Sequence, residues 1–377
     1  MDNQNKNLIL AIVLSGLVML VWLSFFAPER PVVTPDAPSQ TATTAQDGGA
    51  AAVGTGTSTV APAENAPATQ VTAEDSTAAI EAAPRVPIAT PRLAGSISLL
   101  GGRLDDLALS DYRQTLDDDS EVVTLFIPEG RDNAYYTVYG WAPGGDLQLA
   151  DVPGATTLWQ LESGDVLTPD SPVTLVWSNT GGQTFRRRFA IDENYMFSVT
   201  QSVENNGRAA IRMAPYGIIV RQGKPTNLKG FFIIHEGAIG MADGELTETK
   251  YKKMVGLDLN EREAARALIT SVTDSGWVGF TDQYWMSTLI PGPGQPFTAK
   301  EMYRPASDLY LTEARLPTLT VAAGGAESVE TFLFAGAKEW ETIRNYEREN
   351  SIPGFIDSID WGWFFFLTKP IFWLLHT

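Results

Sequence analysis

The sequence predicts a mainly β, antiparallel sandwich-type domain with a few C-terminal helices, tied to a membrane by one helix. Three observations carry this. An uncharged apolar run, Leu8–Phe26, lies near the N-terminus. A stretch without aromatic residues, Ala27 to about Thr90, follows it. From Pro91 to about Phe334, short alternating segments recur with turn residues between them, the pattern of β-sandwiches and open barrel-like sandwiches.

Residues 1–7 are polar, and Leu8–Phe26 reads LILAIVLSGLVMLVWLSFF. At about 1.5 Å per residue this run spans roughly 28 Å as a helix, close to the hydrocarbon thickness of a bilayer. It exceeds the apolar core of a cleavable signal peptide, and Phe25 and Phe26 stand where a cleavage site needs small side chains. Trp22 suits the membrane–water interface. A permanent anchor is therefore expected. Lys6 and the α-amino group before it, against Arg30 after it, bias the N-terminus slightly towards the cytoplasm.

Residues 27–90 are dominated by Ala, Thr, Pro, Gly, Ser and Val. Such a segment cannot bury enough apolar surface to offset its ordering entropy, so it reads as a disordered spacer. A coil of about 64 residues has an r.m.s. reach of roughly 40–48 Å.

The 377 residues suffice for an anchor and one large domain, and 10 Trp, 11 Tyr and 17 Phe supply a substantial core. A net charge of −18 speaks against a nucleic-acid partner, which requires clustered Lys and Arg. There is no Cys, hence no disulfide or thiol chemistry. His235 and His376 are the only histidines, so a His-based metal centre or catalytic triad would have to rest on one of them.

Within residues 91–336, Tyr195, Phe197, Val199 and Val203 alternate with Ser198, Thr200 and Ser202, a strand with one wet face. Before it, VTLVWSN and TFRRRFAI flank Thr180-Gly181-Gly182-Gln183, a hairpin signal. After it, the Asn205-Asn206-Gly207 turn leads to AAIRMAPYGIIV. SISLLG, LDDLALS, EVVTLFIP, AYYTVYGW, GWVGFTD, TAKEMYRP, TLTVAA and VETFLFA read as further strands. Asn260 and Glu263 resemble a capping box, which predicts a short helix over Leu259–Ile269. AKEWETIRNYEREN predicts a second helix at about residues 337–350, with Trp340 and Ile343 on one face, ended by Pro353-Gly354.

Three groups could carry chemistry. Arg186, Arg187 and Arg188 could bind an anion, but a strand sends alternate side chains to opposite faces, so a solvated hairpin is the better reading. His235-Glu236 could be an acid–base pair, although adjacent residues beside a Gly normally mark a loop. Trp277, Phe280, Tyr284 and Trp285 could line a groove; core packing is the stronger expectation.

Residues 351–377 end in DWGWFFFLTKPIFWLLHT. Lys369 and Pro370 interrupt this aromatic run, as in a helix lying in a membrane interface rather than crossing it. The sequence stops in apolar residues without a polar tail, and spanning helices are expected beyond Thr377.

An opening MDNQNKNLILAIVLS, a spacer, a large β-domain and a return to the membrane resemble the start of the bacterial YidC membrane protein insertases. The resemblance rests on GGRLDDLALSDYRQTL (Gly101–Leu116), SGWVGFTDQYWMSTLIP (Ser275–Pro291), FLFAGAKEWETIRNYE (Phe332–Glu347) and WGWFFFLTKPIFWLL (Trp361–Leu375). It covers nearly the whole chain apart from the spacer. It implies a mutarotase-like antiparallel β-supersandwich in the periplasm, residues about 28–355, and a cytoplasmic N-terminus in a Gram-negative inner membrane. It also implies insertion and folding of nascent membrane proteins, alone or with the SecYEG translocon and SecD–SecF, with ribosome contact through later parts. No cofactor, metal or covalent step is implied, so no enzyme is expected.

The family's groove arginine would belong to helices beyond Thr377. Within this chain the resemblance singles out the helix carrying Trp340, Ile343 and Tyr346, and an interfacial segment carrying Trp361, Trp363, Phe365, Lys369 and Trp373. Together these would join the largely dispensable β-domain to the membrane core and orient it. The alternatives are a tethered carbohydrate-binding or mutarotase-like domain, which would need His235-Glu236 in a cleft, and a single-pass periplasmic scaffold.

Overall fold

The computed structural model describes residues 80–360, apart from 81, 118, 227 and 229–233. The predicted anchor, most of the spacer and the aromatic segment with Trp361, Trp363, Phe365, Lys369 and Trp373 lie outside the described residues. Among the described residues no helix is long and apolar enough to cross a membrane.

Two antiparallel sheets make the domain, so its class is the expected mainly β supersandwich. Sheet one runs β1 (Arg85–Ala89), β2 (Leu93–Ser98), β3 (Arg103–Arg113), β5 (Tyr135–Gly144), β10 (Ile211–Gln222), β18 (Leu309–Arg315), β17 (Phe297–Arg304), β14 (Ala265–Val272) and β13 (Leu259–Asn260). β4 (Val122–Phe126) sits beside β3, and β19 (Leu319–Val321) beside β10. Sheet two runs β12 (Glu245–Lys250), β11 (Gly237–Ala242), β15 (Gly276–Thr281), β16 (Trp285–Pro291), β20 (Ala326–Ala337), β9 (Met196–Asn205), β8 (Gln183–Ile191), β7 (Val173–Ser178) and β6 (Gln160–Ser163). A four-residue helix α1 (Tyr251–Met254) links the terminal strands β12 and β13, and α2 (Trp340–Glu349) follows β20.

The sheets meet through their alternate residues. Tyr135, Tyr139 and Trp141 of β5 face the other sheet, where ring centroids lie 6.4 Å from Phe280, 6.5 Å from Phe189 and 6.2 Å from Trp141's partner Phe185. Such aromatic pairs add about 0.5–1.5 kcal/mol each beyond the area they bury. Polar cross-ties accompany them: the Gln201 amide donates to the Gly140 carbonyl at 2.9 Å, and Tyr135 Oη is hydrogen-bonded to Ser287 Oγ.

Three expectations change. β-Structure starts earlier than composition suggests, because β1 pairs along its length with β2 although it lies in the interval read as spacer. The helix predicted over Leu259–Ile269 is instead the β13–β14 hairpin. Asn260 Oδ1 does accept the Glu263 N–H at 3.2 Å, but this closes a turn with Ala264 at φ 47°. The same side-chain chemistry serves N-caps and Asx-turns. Pairing of β14 with β17 from Arg266 to Val272, favoured by Ile269, Thr270 and Val272, decides between them. Finally, the arginine hairpin is not solvated throughout: Arg186 and Arg188 point outward, whereas Arg187 is 1% exposed between the sheets.

Candidate functional site at the C-terminal junction

α2 is where the sandwich hands the chain on, and four sets of contacts fix it. The first centres on Glu339, the extended residue before α2. Its carboxylate turns back onto the sandwich. It accepts hydrogen bonds from Tyr112 Oη (2.5 Å), Tyr195 Oη (3.2 Å) and Thr342 Oγ1 (2.8 Å). Both terminal nitrogens of Arg92 also donate to it, one at 2.9 Å. Arg92 comes from the β1–β2 turn, lies 4.4 Å over the Tyr195 ring, and reaches Asp111 at 2.9 Å and Asn194 at 3.2 Å. Partial burial pushes the Glu339 carboxyl up, but the hydrogen bonds from Arg92, Tyr112 and Thr342 outweigh it and hold the group down at about 2. The Glu339 hydrogen bond in turn raises the Arg92 guanidinium above its ordinary value.

The second set is at the middle of α2. Tyr346 Oη donates to Asp192 Oδ2 at 2.6 Å and accepts the Tyr195 N–H at 3.0 Å. Burial raises the Tyr346 hydroxyl well above its usual range, so it stays a donor. Ile343 is fully buried beside it. Trp340 is half-buried, with Arg344 stacked at 4.8 Å, so Ile343 and Tyr346 rather than Trp340 seat the helix.

The third set follows the helix. Gly354 adopts φ 65°, a left-handed turn that folds the short 3₁₀ segment Phe355–Ser358 back on the sandwich. Phe355 packs edge-on against Trp277 (5.6 Å) and Phe334 (5.4 Å). Trp277 Nε1 donates to the Pro353 carbonyl at 3.2 Å, and the Ile356 N–H to Glu347 at 2.7 Å.

The fourth closes on Asp360, the last described residue. One carboxylate oxygen accepts the His235 N–H at 2.9 Å, and the other lies 3.2 Å from Lys338 Nζ, whose side chain is 4% exposed. Burial lowers both the Lys338 ammonium and the His235 imidazole from their usual values. A buried pair of this kind is weak evidence for stability, but removing one partner leaves the other charge uncompensated.

The other candidates divide. His235 Nε2 lies 2.8 Å from the Ala238 carbonyl, buried, while Glu236 lines a separate cleft of about 770 Å³ with Tyr135, Arg221, Asp282 and Tyr284. The two side chains thus have different surroundings, His235 against a backbone carbonyl and Glu236 on the cleft. Trp277 and Phe280 are core, Trp285 packs at 5.0 Å from Tyr112, and Tyr284 is 57% exposed. Arg187 makes its bonds to the carbonyls of Gly101, Gly102 and Tyr139 and lies 4.7 Å over Trp159, which leaves no place for an anion. Sequence reasoning found α2 and missed Arg92, Asp192, Lys338, Glu339 and Asp360. The one available signal was the Lys338-Glu339 pair opening a predicted helix; the partners come from distant turns.

This β-sandwich with a clamped helical exit can be placed by comparison. Residues 85–374 match the family described as the YidC periplasmic domain, and the chain belongs to that family. Proteins named membrane protein insertase YidC match the whole chain: 55% identity in Dinoroseobacter shibae over 61% of that protein, and 53% in Ruegeria pomeroyi over 61%. In Cereibacter sphaeroides the figure is 51% over 59%. The chain thus spans about three-fifths of the length of these relatives. Among solved structures, a galactose mutarotase related enzyme from Lactobacillus acidophilus is similar at 10% identity and TM-score 0.42, covering 67% of this chain and 97% of that one. At that distance it carries nothing about activity.

Proposed function

We propose that this chain is the anchor and periplasmic part of a membrane protein insertase and chaperone, with no covalent chemistry of its own. The relatives that match its whole length bear that name. In this reading the N-terminus is cytoplasmic, Leu8–Phe26 spans the inner membrane, the residues between it and β1 are a spacer, and the sandwich lies in the periplasm. Nascent membrane proteins are the substrates. SecYEG, SecD–SecF and the ribosome are the partners, reached by the full-length protein.

The observation that carries a role for this part is the junction. Contacts from the β1–β2 turn, β3, the β8–β9 turn and the loop before β11 converge on residues 338–360, so the sandwich sets where Asp360 points. A membrane segment starting at Trp361 would leave in a defined direction, with Trp361, Trp363, Phe365, Lys369 and Trp373 in the interface and Trp340, Ile343 and Tyr346 behind it. The test is insertion of a membrane substrate in an insertase-depleted strain. The full-length protein restores it, residues 1–377 alone do not, and full-length protein with Arg92→Ala and Glu339→Ala together restores it poorly. Restoration by residues 1–377 would overturn the assignment of the activity to later helices. Undiminished restoration by the double variant would overturn the role of the junction.

A further inference from the structure

We propose that His235 is a proton-operated latch on the exit of the domain: its neutral side chain keeps Asp360 in place, and a proton on the ring releases it. This rests on the reading above, in which the sandwich sets where Asp360 points, and adds what undoes that hold.

His235 lies two residues before β11 and makes two contacts at once. Its backbone N–H donates to Asp360 Oδ1 at 2.9 Å, while ring Nε2 lies 2.8 Å from the Ala238 carbonyl. A carbonyl only accepts, so the neutral ring carries its proton on Nε2 and a second proton enters at Nδ1. Ala238 is itself fixed, paired with Thr249 on one side and Phe280 on the other. The ring occupies a closed site, since the residue is 5% exposed. Reaching water takes residue 235 as a whole away from β11, its N–H included.

A proton is costly in that site. Burial lowers the imidazole from its usual value, although the Ala238 carbonyl and Asp360 both favour the charged form. Asp360 already faces Lys338 Nζ at 3.2 Å, and the Lys338 side chain is 4% exposed. An imidazolium would be a second buried cation drawing on one carboxylate. The other charged groups nearby help little. Glu248 and Lys250 of β12 are exposed, opposite in sign and screened. Asp282 is taken by Arg221 at 2.9 Å, and Glu236 lines the separate cleft. In water the same ring has its ordinary value, near 6.5. The open form therefore binds the proton first, and acid favours it. Once the His235 N–H is withdrawn, Lys338 alone faces the Asp360 carboxylate among the described residues. Neutral pH thus clamps the end of the exit and acid loosens it, while Tyr346 and Phe355 keep the rest of the junction packed.

The test uses the full chain with His376→Gln, which leaves His235 as the sole histidine. Two quantities are read by NMR between pH 7.5 and 5.0. One is the imidazole titration. The other is the protection of the His235 and Ile359 amides, which donate to Asp360 and to the Ile356 carbonyl, each exchange rate being divided by its free-peptide rate at the same pH. An open-state ring near 6.5 limits the rise in opening to about thirtyfold over this range. A rise of more than about fivefold is expected, with β8 and β9 unchanged and the imidazole midpoint below the ordinary 6.5. His235→Gln keeps an amide that can donate to the Ala238 carbonyl but takes no proton, so it should retain the neutral protection and lose the pH dependence. Where that variant is loose already at pH 7.5, Lys338→Met decides: the ring then has Asp360 to itself, and its midpoint must move up. Flat protection, a midpoint at or above 6.5, the same pH dependence in His235→Gln, or an unmoved midpoint in Lys338→Met each overturn the latch and leave the junction reading standing. Amides at 235 and 359 that are unprotected already at pH 7.5 overturn both.

Discussion

Arg92 and Arg187 each lie on an aromatic face, 4.4 Å from the Tyr195 centroid and 4.7 Å from that of Trp159, but they tie the molecule together in different ways. Arg92 stands at the rim of the sandwich and meets carboxylates, Glu339 and Asp111. Its charge is compensated. Arg187 is sealed between the sheets and meets only carbonyls, those of Gly101, Gly102 and Tyr139. Burial therefore lowers it, to about 10, while Arg92 is raised. The two arginines divide the labour. The core pin fixes the sandwich itself, whereas the rim clamp fixes only how the C-terminal helix leaves it.

The largest effect is expected where burial is deepest. Arg187→Ala leaves three carbonyls without their donor and opens a cavity, and should cost about 3–5 kcal/mol in urea unfolding of the chain. Arg187→Lys should lose nearly as much, because one ammonium cannot reproduce the planar fork. A loss under about 1 kcal/mol would mean that water replaces the guanidinium, and the contrast with Arg92 would weaken.

Gly336→Val comes next. A Cβ at this position of β20 would lie 2.2 Å from Cγ of Tyr195, so the ring that supports Arg92 must move. Overpacking of this kind costs about 1–3 kcal/mol. The diagnostic readout is hydrogen exchange: α2 should lose protection while β8 and β9 keep theirs.

The clamp itself is expected to be weaker. A double-mutant cycle with Arg92→Ala and Glu339→Gln should give a coupling of about 1–2 kcal/mol, since the pair is charge-assisted but partly wet. Additive single effects would show that the pair is a passenger of the helix packing.

The smallest effect is on pH. Glu339 is held at about 2 in the folded chain, below its unfolded value, so the unfolded state binds the proton more readily. Its contribution is full above about pH 5 and is lost as pH falls towards 2. Glu339→Gln should flatten that part of the stability curve by lowering the neutral plateau while leaving stability near pH 2 unchanged. His235, lowered by burial, acts in the same direction nearer pH 6, because the unfolded imidazole takes up its proton first.

Much of this was legible in the residues. The alternation in residues 195–203 and the Gly181-Gly182 turn are local signals, and β7, β8 and β9 follow them. Spacing put Trp340 and Ile343 on one helix face; Ile343 is buried, but Trp340 is only half-buried and Tyr346 seats the helix with Ile343. Asn260-Glu263 misled because a side-chain cap satisfies a backbone N–H equally in a helix start and in a turn, and the pairing of β14 with β17 that decides is not local. Arg187 shows the same limit. Alternation sends it inward, but only the carbonyls of two distant segments make that position tolerable. The clamp was illegible for this reason too: Arg92 and Glu339 are 247 positions apart.

The sandwich fixes the direction in which the chain leaves it. The direct measurement is a distance distribution between spin labels on Leu158→Cys and Glu349→Cys, one beside β6 and one at the end of α2, in the otherwise cysteine-free chain. It should show one narrow peak that broadens when Arg92 and Glu339 are both replaced by Ala. A broad distribution in the unaltered chain, or a narrow one that survives the double replacement, would contradict it.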